Sequence, residues 1–374
     1  MACVETVLIV GRGIAGLTLA AALHRQGCKI DLIERNTAWR TTGAGIAVQA
    51  NGLRALRALG MAAAIERAGA VLHHWQFCDP RGTVLCSIDL QEVWEGVGPC
   101  IGIERAKLQD TLLEGAAAVP VRLGTSIVSL TQSDLRVAVQ FTDGTLGEYD
   151  LVVGADGIAS SVRELALGAT PLQSAGHVGW RSLVPIRPRG LQHLQFFLGD
   201  GCFFGLCPMA NGTYGFGHVN DPHIHDEVEG RLRRLRARFA TFGGAVPEYL
   251  AALERDEQIH CSTIQWVNQD RWYAGGVLLI GDAAHASSPI LGQGGCLAME
   301  DAVVLAEILQ NAATVADALS SYDKRRKPRV KWMQQESLAL FAQFRQKPAL
   351  RDAFLRENGE KTLLDCFRPL IAAP

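Results

Sequence analysis

The chain has no strong excess of either charge: 36 basic and 38 acidic residues among 374 give a formal net charge of −2. It lacks the positive field that attracts polyanions, so we expect no nucleic acid partner. Long hydrophobic runs are also missing, since the apolar stretch at residues 14–23 is closed by His24 and Arg25. A bilayer requires about 20 apolar residues in one helix, so we expect no stable membrane insertion.

The cysteine pattern indicates a reducing compartment. Ten cysteines are scattered from Cys3 to Cys366 without a C-x-x-C pair, which is typical of small buried hydrophobes rather than of disulfides or zinc ligands. The first strand begins almost at the initiator methionine and leaves no room for a signal peptide, so a cytoplasmic protein is expected. His223 and His225 are a possible ligand pair, but no third ligand is evident and we predict no metal site.

Residues 6–34 have the pattern of a β-α-β unit. Residues 6–10 and 29–34 are predicted strands, and residues 14–26 form a small-residue helix that ends at Gly27. Asn51 is a candidate cap for a following helix, and residues 105–113 predict another. Short alternating runs broken at Asp143-Gly144 indicate a hairpin, which leads into a buried strand at residues 151–155.

The middle of the chain differs from its flanks. Residues 178–219 alternate like strands and predict a mostly antiparallel sheet, residues 227–242 return to helical spacing, residues 277–280 are a buried strand, and the chain after Glu300 is mainly helical. We therefore predict an α/β fold with a Rossmann-like dinucleotide-binding domain, an interposed α+β substrate domain and C-terminal helices. The predicted boundaries are 1–70, 101–175 and 276–345 for the first domain, 71–100 and 176–275 for the second, and 346–374 for the C-terminal segment.

The first motif is a glycine-rich turn between a strand and a helix. Gly11, Gly13 and Gly16 form a G-x-G-x-x-G pattern, which permits a tight turn and close approach to a pyrophosphate. Alone this pattern is weak, and the alternative is an ordinary glycine turn. Glu34 follows at the end of the second strand, where a carboxylate can bind a ribose. An acidic residue there disfavours a 2′-phosphate, so FAD or NAD is expected at this turn rather than NADP.

The second and third motifs also follow buried strands. Asp156 stands at the end of the strand at residues 151–155, where it either faces a ligand or only caps the next helix. Asp282 ends the strand at residues 277–280 and could bind a polyhydroxyl chain. A glycine-rich turn at residues 292–295 then opens a helix whose free N–H groups favour negative charge. His285 between them is better explained as a packed histidine.

Together, in this order and spacing over nearly the whole chain, the motifs resemble the para-hydroxybenzoate hydroxylase family of group A FAD-dependent aromatic monooxygenases. Within that family, residues 294–296 and 299–305 look like the urate hydroxylase and alkylquinolone hydroxylase branch. The resemblance implies that residues 43–46, including Gly45 and Ile46, pass near the flavin. It also implies cofactor contacts for the following residues: Gly11, Gly13, Ile14, Ala15, Gly16, Glu34, Arg35, Arg105, Ile127, Asp156, Asp282, Gly292, Gly294, Gly295 and Cys296.

The resemblance further implies an NADH- or NADPH-consuming hydroxylase that uses O2 and a flavin C4a-hydroperoxide. Only one G-x-G-x-x-G is present, so NAD(P)H is expected to bind transiently in a surface groove. Urate enzymes resembling this chain have an acidic residue where Ile290 stands, so an apolar aromatic ring is a better substrate than a hydrated purine. The oligomeric state is left open between monomer and homodimer.

Substrate residues are expected from the interposed sheet. Tyr214, Phe216 and His218 share one face by period-two alternation, although core packing explains such a stripe equally well. His218 or Tyr214 is the candidate that helps to deprotonate a phenol-like substrate. Further substrate candidates, each with packing or surface pairing as the alternative, are Trp180, Arg181, Phe203, Phe204 and Pro289.

Other functions remain open at this stage. An FAD-dependent dehydrogenase or reductase shares the cofactor motifs but inserts no oxygen, and a flavin-binding module would not oxidise NAD(P)H. A halogenase is disfavoured because no W-x-W-x-I-P segment is present. The basic runs at residues 231–238 and 324–331 are interpreted as solvated helix faces rather than as nucleic-acid or membrane contacts.

Overall fold

A computed structural model describes residues 3–38, 44–133 and 136–374. The strands are β1 (Thr6–Val10), β2 (Lys29–Glu34), β3 (Gly45–Val48), β4 (Ala70–Leu72), β5 (His74–Cys78), β6 (Val84–Asp89), β7 (Cys100–Glu104), β8 (Val121–Leu123), β9 (Ile127–Gln132), β10 (Val137–Phe141), β11 (Leu146–Tyr149), β12 (Leu151–Gly154), β13 (Gln173–Val184), β14 (Leu194–Leu198), β15 (Cys202–Met209), β16 (Gly212–Val219), β17 (His260–Trp266), β18 (Tyr273–Ala274) and β19 (Val277–Leu279).

The helices are α1 (Ile14–His24), α2 (Ala50–Ala58), α3 (Ala62–Ala68), α4 (Leu90–Val93), α5 (Arg105–Gly115), α6 (Ser161–Leu167), α7 (Arg231–Arg238), α8 (Val246–Ala251), α9 (Asp282–His285), α10 (Gly294–Asn311), α11 (Val315–Phe344) and α12 (Pro348–Ile371). Short 3-10 turns occur at Asp256–Gln258 and Pro289–Leu291.

A six-stranded sheet carries the predicted β-α-β unit. Its strand order is β18-β19-β12-β1-β2-β8, and every neighbouring pair is parallel except β18 and β19. Val7, Leu8 and Ile9 in the central strand are fully buried. A strand covered on both faces needs a continuous apolar run, which is why β1 shows no alternation in its sequence. Here α1 ends at His24, two residues before the predicted end.

The interposed segment forms a seven-stranded sheet with the order β17-β13-β16-β15-β14-β5-β6. All its neighbouring strands are antiparallel except β14 and β5, so the predicted antiparallel character is confirmed. One face of this sheet packs against α7 and α8 in a separate hydrophobic cluster. The other face turns toward the six-stranded sheet and takes part in the main hydrophobic core.

Two three-stranded sheets complete the sheet structure of the described residues. One has the order β3-β7-β4 and the other the order β11-β10-β9. The hairpin predicted at Asp143-Gly144 is confirmed, since β10 and β11 are antiparallel and Gly144 has a φ of 82°. The α/β fold class with C-terminal helices is therefore the predicted one, while the exact domain boundaries stay a prediction.

Two helices begin at other residues than predicted, and in both a polar group at or near the first turn bonds to a distant segment. Gln49, not Asn51, precedes α2, and the Asn51 side chain instead donates to Gln293 Oε1 at 2.9 Å. The helix predicted at residues 227–242 is shorter and spans Arg231–Arg238. Asp256, well beyond that helix in sequence, accepts hydrogen bonds from the backbone N–H groups of Gly230 and Leu232, each at 2.7 Å.

The basic run at residues 324–331 is not simply a solvated face, which corrects that prediction. Arg326 is fully buried and paired with Glu300 and Asp301, whereas Arg325 lies at the surface beside Glu307. In the other basic run, Arg231 and Arg234 both pair with Asp226. Much of the basic character of both helices is therefore neutralised within the molecule.

Candidate active site

The three sequence motifs meet at one edge of the six-stranded sheet. Strands β19, β12, β1 and β2 are neighbours and run parallel, so their carboxyl ends lie side by side. The residues that follow these ends are Gly281-Asp282, Ala155-Asp156, Gly11 and the terminal Glu34 of β2. Ligands of open α/β sheets bind at this edge.

The glycine turn after β1 leaves no room for side chains on its inner surface. A Cβ at Gly11, whose φ is 108°, would lie 2.4 Å from the carbonyl oxygen of Ala155, and one at Gly16 would lie 1.9 Å from that of Gly11. A Cβ at Gly13, by contrast, would meet no protein atom within 4 Å. Gly11 and Gly16 are therefore required by the fold, while Gly13 keeps the space above the turn open.

A cavity of about 660 Å³ extends from this turn to the face of the seven-stranded sheet. That volume lies within the usual range of small-molecule and cofactor sites. Predicted cofactor residues line one part of it, namely Gly13, Ile14, Ala15, Gly45, Ile46, Arg105, Asp282, Gly292, Gly294 and Gly295. Gly43 lies outside the described residues.

Other predicted cofactor residues lie outside the cavity wall, namely Gly11, Gly16, Glu34, Arg35, Ile127, Asp156 and Cys296. Glu34 is nevertheless beside the glycine turn, because its Oε2 accepts a hydrogen bond from the backbone N–H of Arg12 at 3.0 Å. The Cys296 side chain packs against α2, where the N–H of Gln49 donates to its Sγ at 3.4 Å. Ile127 is buried at the start of β9.

Asp156 acts as a helix cap, the alternative considered from the sequence. Its Oδ2 accepts hydrogen bonds from the backbone N–H groups of Ser161 at 2.7 Å and Val162 at 3.2 Å. Burial raises the pKa of this carboxyl group, against the opposing effect of those hydrogen bonds. Its second oxygen, Oδ1, is buried without a hydrogen-bond partner among the described residues. The cofactor role of Asp156 stays a prediction.

The face of the seven-stranded sheet supplies the rest of the cavity wall. Tyr214, Phe216 and His218 all line the cavity, as their alternation on β16 predicts. Arg181 faces the same side because it pairs directly with Phe216 across the strands. Pro289 also lines the cavity.

Trp180 and Phe204 do not belong to this site, which corrects the sequence interpretation. Both are buried on the opposite face of the sheet, where Phe204 packs against Phe239 and Tyr249. The Trp180 Nε1–H donates to Asp226 at 2.6 Å. Successive residues of a strand face opposite sides of the sheet. Because Arg181 and Phe203 face the cavity, their neighbours Trp180 and Phe204 must face away from it.

Sequence reasoning missed part of the aromatic wall. Phe203, one of the predicted substrate candidates, lines the cavity, and so do Trp75, Leu194 and Phe196, which are not among the predicted site residues. Phe196 could have been found by alternation along β14. Trp75 could not, because β5 reaches the sheet through a parallel pairing with β14, more than 100 residues later.

Tyr214 and His218 differ in their protonation states and therefore in the hydrogen bonds that they can make to a ligand. Burial raises the pKa of Tyr214 to about 12, although the charge of Arg181 opposes this change. Burial, with smaller contributions from Arg181 and His177, holds the pKa of His218 well below its usual value. At neutral pH, Tyr214 is therefore a hydrogen-bond donor and His218 is a neutral imidazole with one acceptor nitrogen.

A buried ion network joins residues of the third motif to α11. Arg326 donates from Nη1 to Glu300 Oε2 and from Nε to Asp301 Oδ1, both at 2.8 Å. Asp301 Oδ2 also accepts from the backbone N–H of Gly281 at 2.9 Å and lies 2.6 Å from His285 Nε2. His285 is thus a packed histidine, as expected, and the network joins α9, α10 and α11.

Within residues 3–38, 44–133 and 136–374, no group of three or more His, Cys, Asp or Glu side chains is arranged to hold a metal ion. Over the same ranges, every helix is too short or too polar to cross a bilayer.

A parallel sheet with a glycine turn at its strand ends, facing an aromatic cavity, suits a dinucleotide cofactor placed beside a flat organic ring. Residues 5–337 match the family model for the FAD binding domain. FAD-dependent urate hydroxylase from Klebsiella pneumoniae is 34% identical over 332 residues, 87% of this chain and 86% of the relative. 2-Heptyl-3-hydroxy-4(1H)-quinolone synthase from Pseudomonas aeruginosa is 33% identical over 337 residues, 89% of this chain and 87% of the relative.

A solved structure is similar over nearly its whole length. The crystal structure of Klebsiella pneumoniae HpxO complexed with FAD and uric acid superposes with a TM-score of 0.91 at 30% identity, covering 99% of this chain and 97% of that chain. The chain belongs to the FAD binding domain family and, within it, to the FAD-dependent aromatic monooxygenases. The resemblance found in the sequence motifs is thereby confirmed.

Proposed function

We propose that this enzyme hydroxylates a small aromatic or heteroaromatic substrate, consuming NADH or NADPH and O2 by way of a flavin C4a-hydroperoxide. The observation that carries the proposal is the continuity of one cavity. It runs from the glycine-rich strand ends, which suit a dinucleotide, to an aromatic sheet face, which suits a flat organic ring.

The residues present fit FAD. Gly13 and Gly294 line the cavity, and a Cβ at Gly294 would meet only Asp282 Oδ1, at 3.8 Å. The phosphates would lie by Gly13 and the flavin ring by Gly294 and Gly295. Asp282, exposed between them, would bind the ribitol hydroxyls. When bound, FAD supplies the redox chemistry, accepting hydride and activating O2.

The protein's own contribution is to orient the substrate and keep water away from the reacting atoms. Ile290, Phe196, Phe203 and Phe216 provide apolar surface around the proposed ring site. Gly45 lets β3 approach this site closely, because a Cβ there would lie 2.6 Å from the Tyr214 ring. These contacts favour a flat, apolar ring over a strongly hydrated one.

His218 and Tyr214 are the proposed acid–base residues. His218 is buried, lines the cavity and stacks on Phe203 at a centroid distance of 4.5 Å. As a neutral imidazole it can accept the proton of a ring hydroxyl, while Tyr214 can donate a hydrogen bond to the ring oxygen. An unchanged pH–rate profile in both His218→Ala and Tyr214→Phe would remove this assignment.

Ile290 supports a substrate less polar than urate. It is buried, lines the cavity and stands where the urate enzymes that resemble this chain have an acidic residue. The name of the quinolone synthase relative describes a heteroaromatic ring with an alkyl chain. A fused heteroaromatic with apolar substituents is therefore the preferred substrate class.

Further features of the protein belong to the same proposal. NAD(P)H binds transiently at the surface, because the sequence has only one dinucleotide turn. The protein works in the cytoplasm, in keeping with ten cysteines that are all free. It acts as a monomer or homodimer, and its domains follow the boundaries predicted from the sequence.

The experiment is a screen of FAD-loaded enzyme with quinolones, indoles, phenols and salicylate-like acids for stimulated NAD(P)H oxidation, followed by mass spectrometry of the products. A product heavier by one oxygen atom supports hydroxylation. A product that has lost two hydrogens supports an FAD-dependent dehydrogenase instead. Failure of every compound to stimulate NAD(P)H oxidation would support a binding module.

A further inference from the structure

The cavity contains a cation that the fold does not neutralise. Arg181 lines the cavity from β13, the strand between β16 and β17. Its Nη1 donates a hydrogen bond to Oγ of Ser262 at 3.1 Å, and this partner is neutral. Among the described residues, no carboxylate oxygen lies within 4.0 Å of a nitrogen of Arg181. This sets it apart from Arg231, Arg326 and Arg351, whose charges are all paired within the protein.

The charges around Arg181 make its part of the cavity positive. The titratable groups facing it are Tyr214 and His218 on β16 and His260 on β17, and the charge of Arg181 lowers the pKa of each histidine after the larger effect of burial. Arg105 adds a second cation near Tyr214. Asp282, the acidic residue of the cavity wall, lies instead beside Gly294 at the proposed cofactor end.

We propose that the substrate binds as an anion, with a negatively charged oxygen on its aromatic ring system paired to Arg181. A guanidinium in a partly buried, apolar cavity favours a ligand that supplies the missing counter-ion. Tyr214 and Ser262 provide hydroxyl groups beside the same oxygen, and Phe216 provides a ring surface next to it. This inference rests on the proposed function and specifies its substrate class.

Ionisation of a ring hydroxyl also helps the proposed reaction. Its proton goes to water, directly or through His218, and the electron pair stays on the ring oxygen. Because burial and the charge of Arg181 disfavour a protonated His218, the imidazole does not keep this proton but passes it on to water. An ionised ring oxygen increases the electron density of the ring that must accept the new oxygen atom.

The test measures binding to the FAD-loaded enzyme, through the change in the flavin absorbance spectrum. The ring-oxyanion probe is 7-hydroxycoumarin, whose hydroxyl ionises near neutral pH, and its neutral control is 7-methoxycoumarin. The carboxylate probe is quinoline-4-carboxylate, with its methyl ester as control. These two arms distinguish a ring oxyanion from a carboxylate as the source of the negative oxygen.

The expected result is that at least one anion binds about 10- to 100-fold more tightly than its neutral control, the range for a charged hydrogen bond of about 1.5–3 kcal/mol. Arg181→Gln should abolish this preference, and Arg181→Lys should keep part of it. Arg189→Gln removes an equal charge from the surface and should leave the preference intact. If 7-hydroxycoumarin is the better ligand, its pKa in the complex should fall in the native enzyme but not in Arg181→Gln.

The proposal is overturned if neither anion binds, or if neither binds more tightly than its neutral control. It is also overturned if Arg181→Gln keeps the native preference. The flavin content of each variant shows whether it has folded. Because no turnover is required, the result is separable from the proposed function. Anion binding without any oxygenated product would contradict the function alone.

Discussion

Replacing Arg326 by methionine tests the buried ion network most severely. The substitution keeps a long, flexible side chain but removes the charge that Glu300 and Asp301 share. All three side chains are completely buried, and Nη2 of Arg326 also donates to the Leu297 carbonyl oxygen at 3.2 Å. Removing one partner of a buried pair typically costs about 3–5 kcal/mol, because the remaining charge is left without compensation.

The remaining contacts set the expected size of the loss. Glu300 keeps its contact with Arg329, whose Nη2 lies 2.6 Å from Oε1, and Asp301 keeps its contacts with His285 and the Gly281 N–H. The two carboxylates are therefore only partly deprived of partners. We expect a loss of about 3 kcal/mol in the free energy of unfolding, at the lower end of that range.

Arg325→Met is the matched control, because it removes an arginine from the adjacent position. Arg325 pairs with Glu307 at the surface, where the side chains are 35% and 54% exposed. Such pairs contribute about 0–1 kcal/mol. Urea unfolding of both variants at one fixed FAD concentration, followed by flavin fluorescence and circular dichroism, gives the comparison. The reasoning would be refuted if the free energy of unfolding of Arg326→Met were less than about 1 kcal/mol below that of Arg325→Met.

Three further predictions concern cofactor, substrate and pH. Gly13→Val should fold but lose FAD, because the valine side chain would enter the open cavity space. Gly16→Val should fail to fold, because its side chain would collide with the Gly11 carbonyl group. Flavin stoichiometry and circular dichroism distinguish the two outcomes. Phe203→Leu should change ligand affinity while Phe204→Leu should mainly lower stability, and equal effects on ligand Kd would contradict the two-face assignment. Burial alone would raise the pKa of Asp301, but His285 and Arg326 hold it well below the usual value. The ionised carboxylate therefore contributes its full stabilisation above about pH 4, and this stabilisation is lost as the pH falls further. In acid unfolding experiments, the free energy of unfolding of Asp301→Asn should accordingly depend less steeply on pH than that of the native protein.

Local patterns in the sequence predicted the β-α-β unit and the hairpin correctly. The strand, glycine turn and helix at residues 6–24 follow from short-range rules, because a buried parallel strand needs a continuous apolar run and a tight turn needs glycine. The hairpin at Asp143-Gly144 is equally local. Residues at the ends of parallel strands converge whatever the intervening sequence, so Gly13 and Asp282 could be assigned to one site.

Contacts between distant segments were beyond such rules. Asp256 caps α7 from a later turn, and Asn51 bonds to Gln293 from the far side of the fold. Trp75 reaches the cavity through a strand pairing that no periodicity encodes. The error at Trp180 is different in kind, because alternation along β13 already placed it opposite Arg181.

Incubation of FAD-loaded enzyme with NAD(P)H, a stimulating aromatic ligand and ¹⁸O₂ tests the central claim most directly. The proposal that one cavity joins flavin and substrate predicts a product containing a single ¹⁸O atom. The same reaction in H₂¹⁸O under ordinary O2 should give a product without ¹⁸O. A product without the label, or one that has only lost two hydrogens, would contradict it.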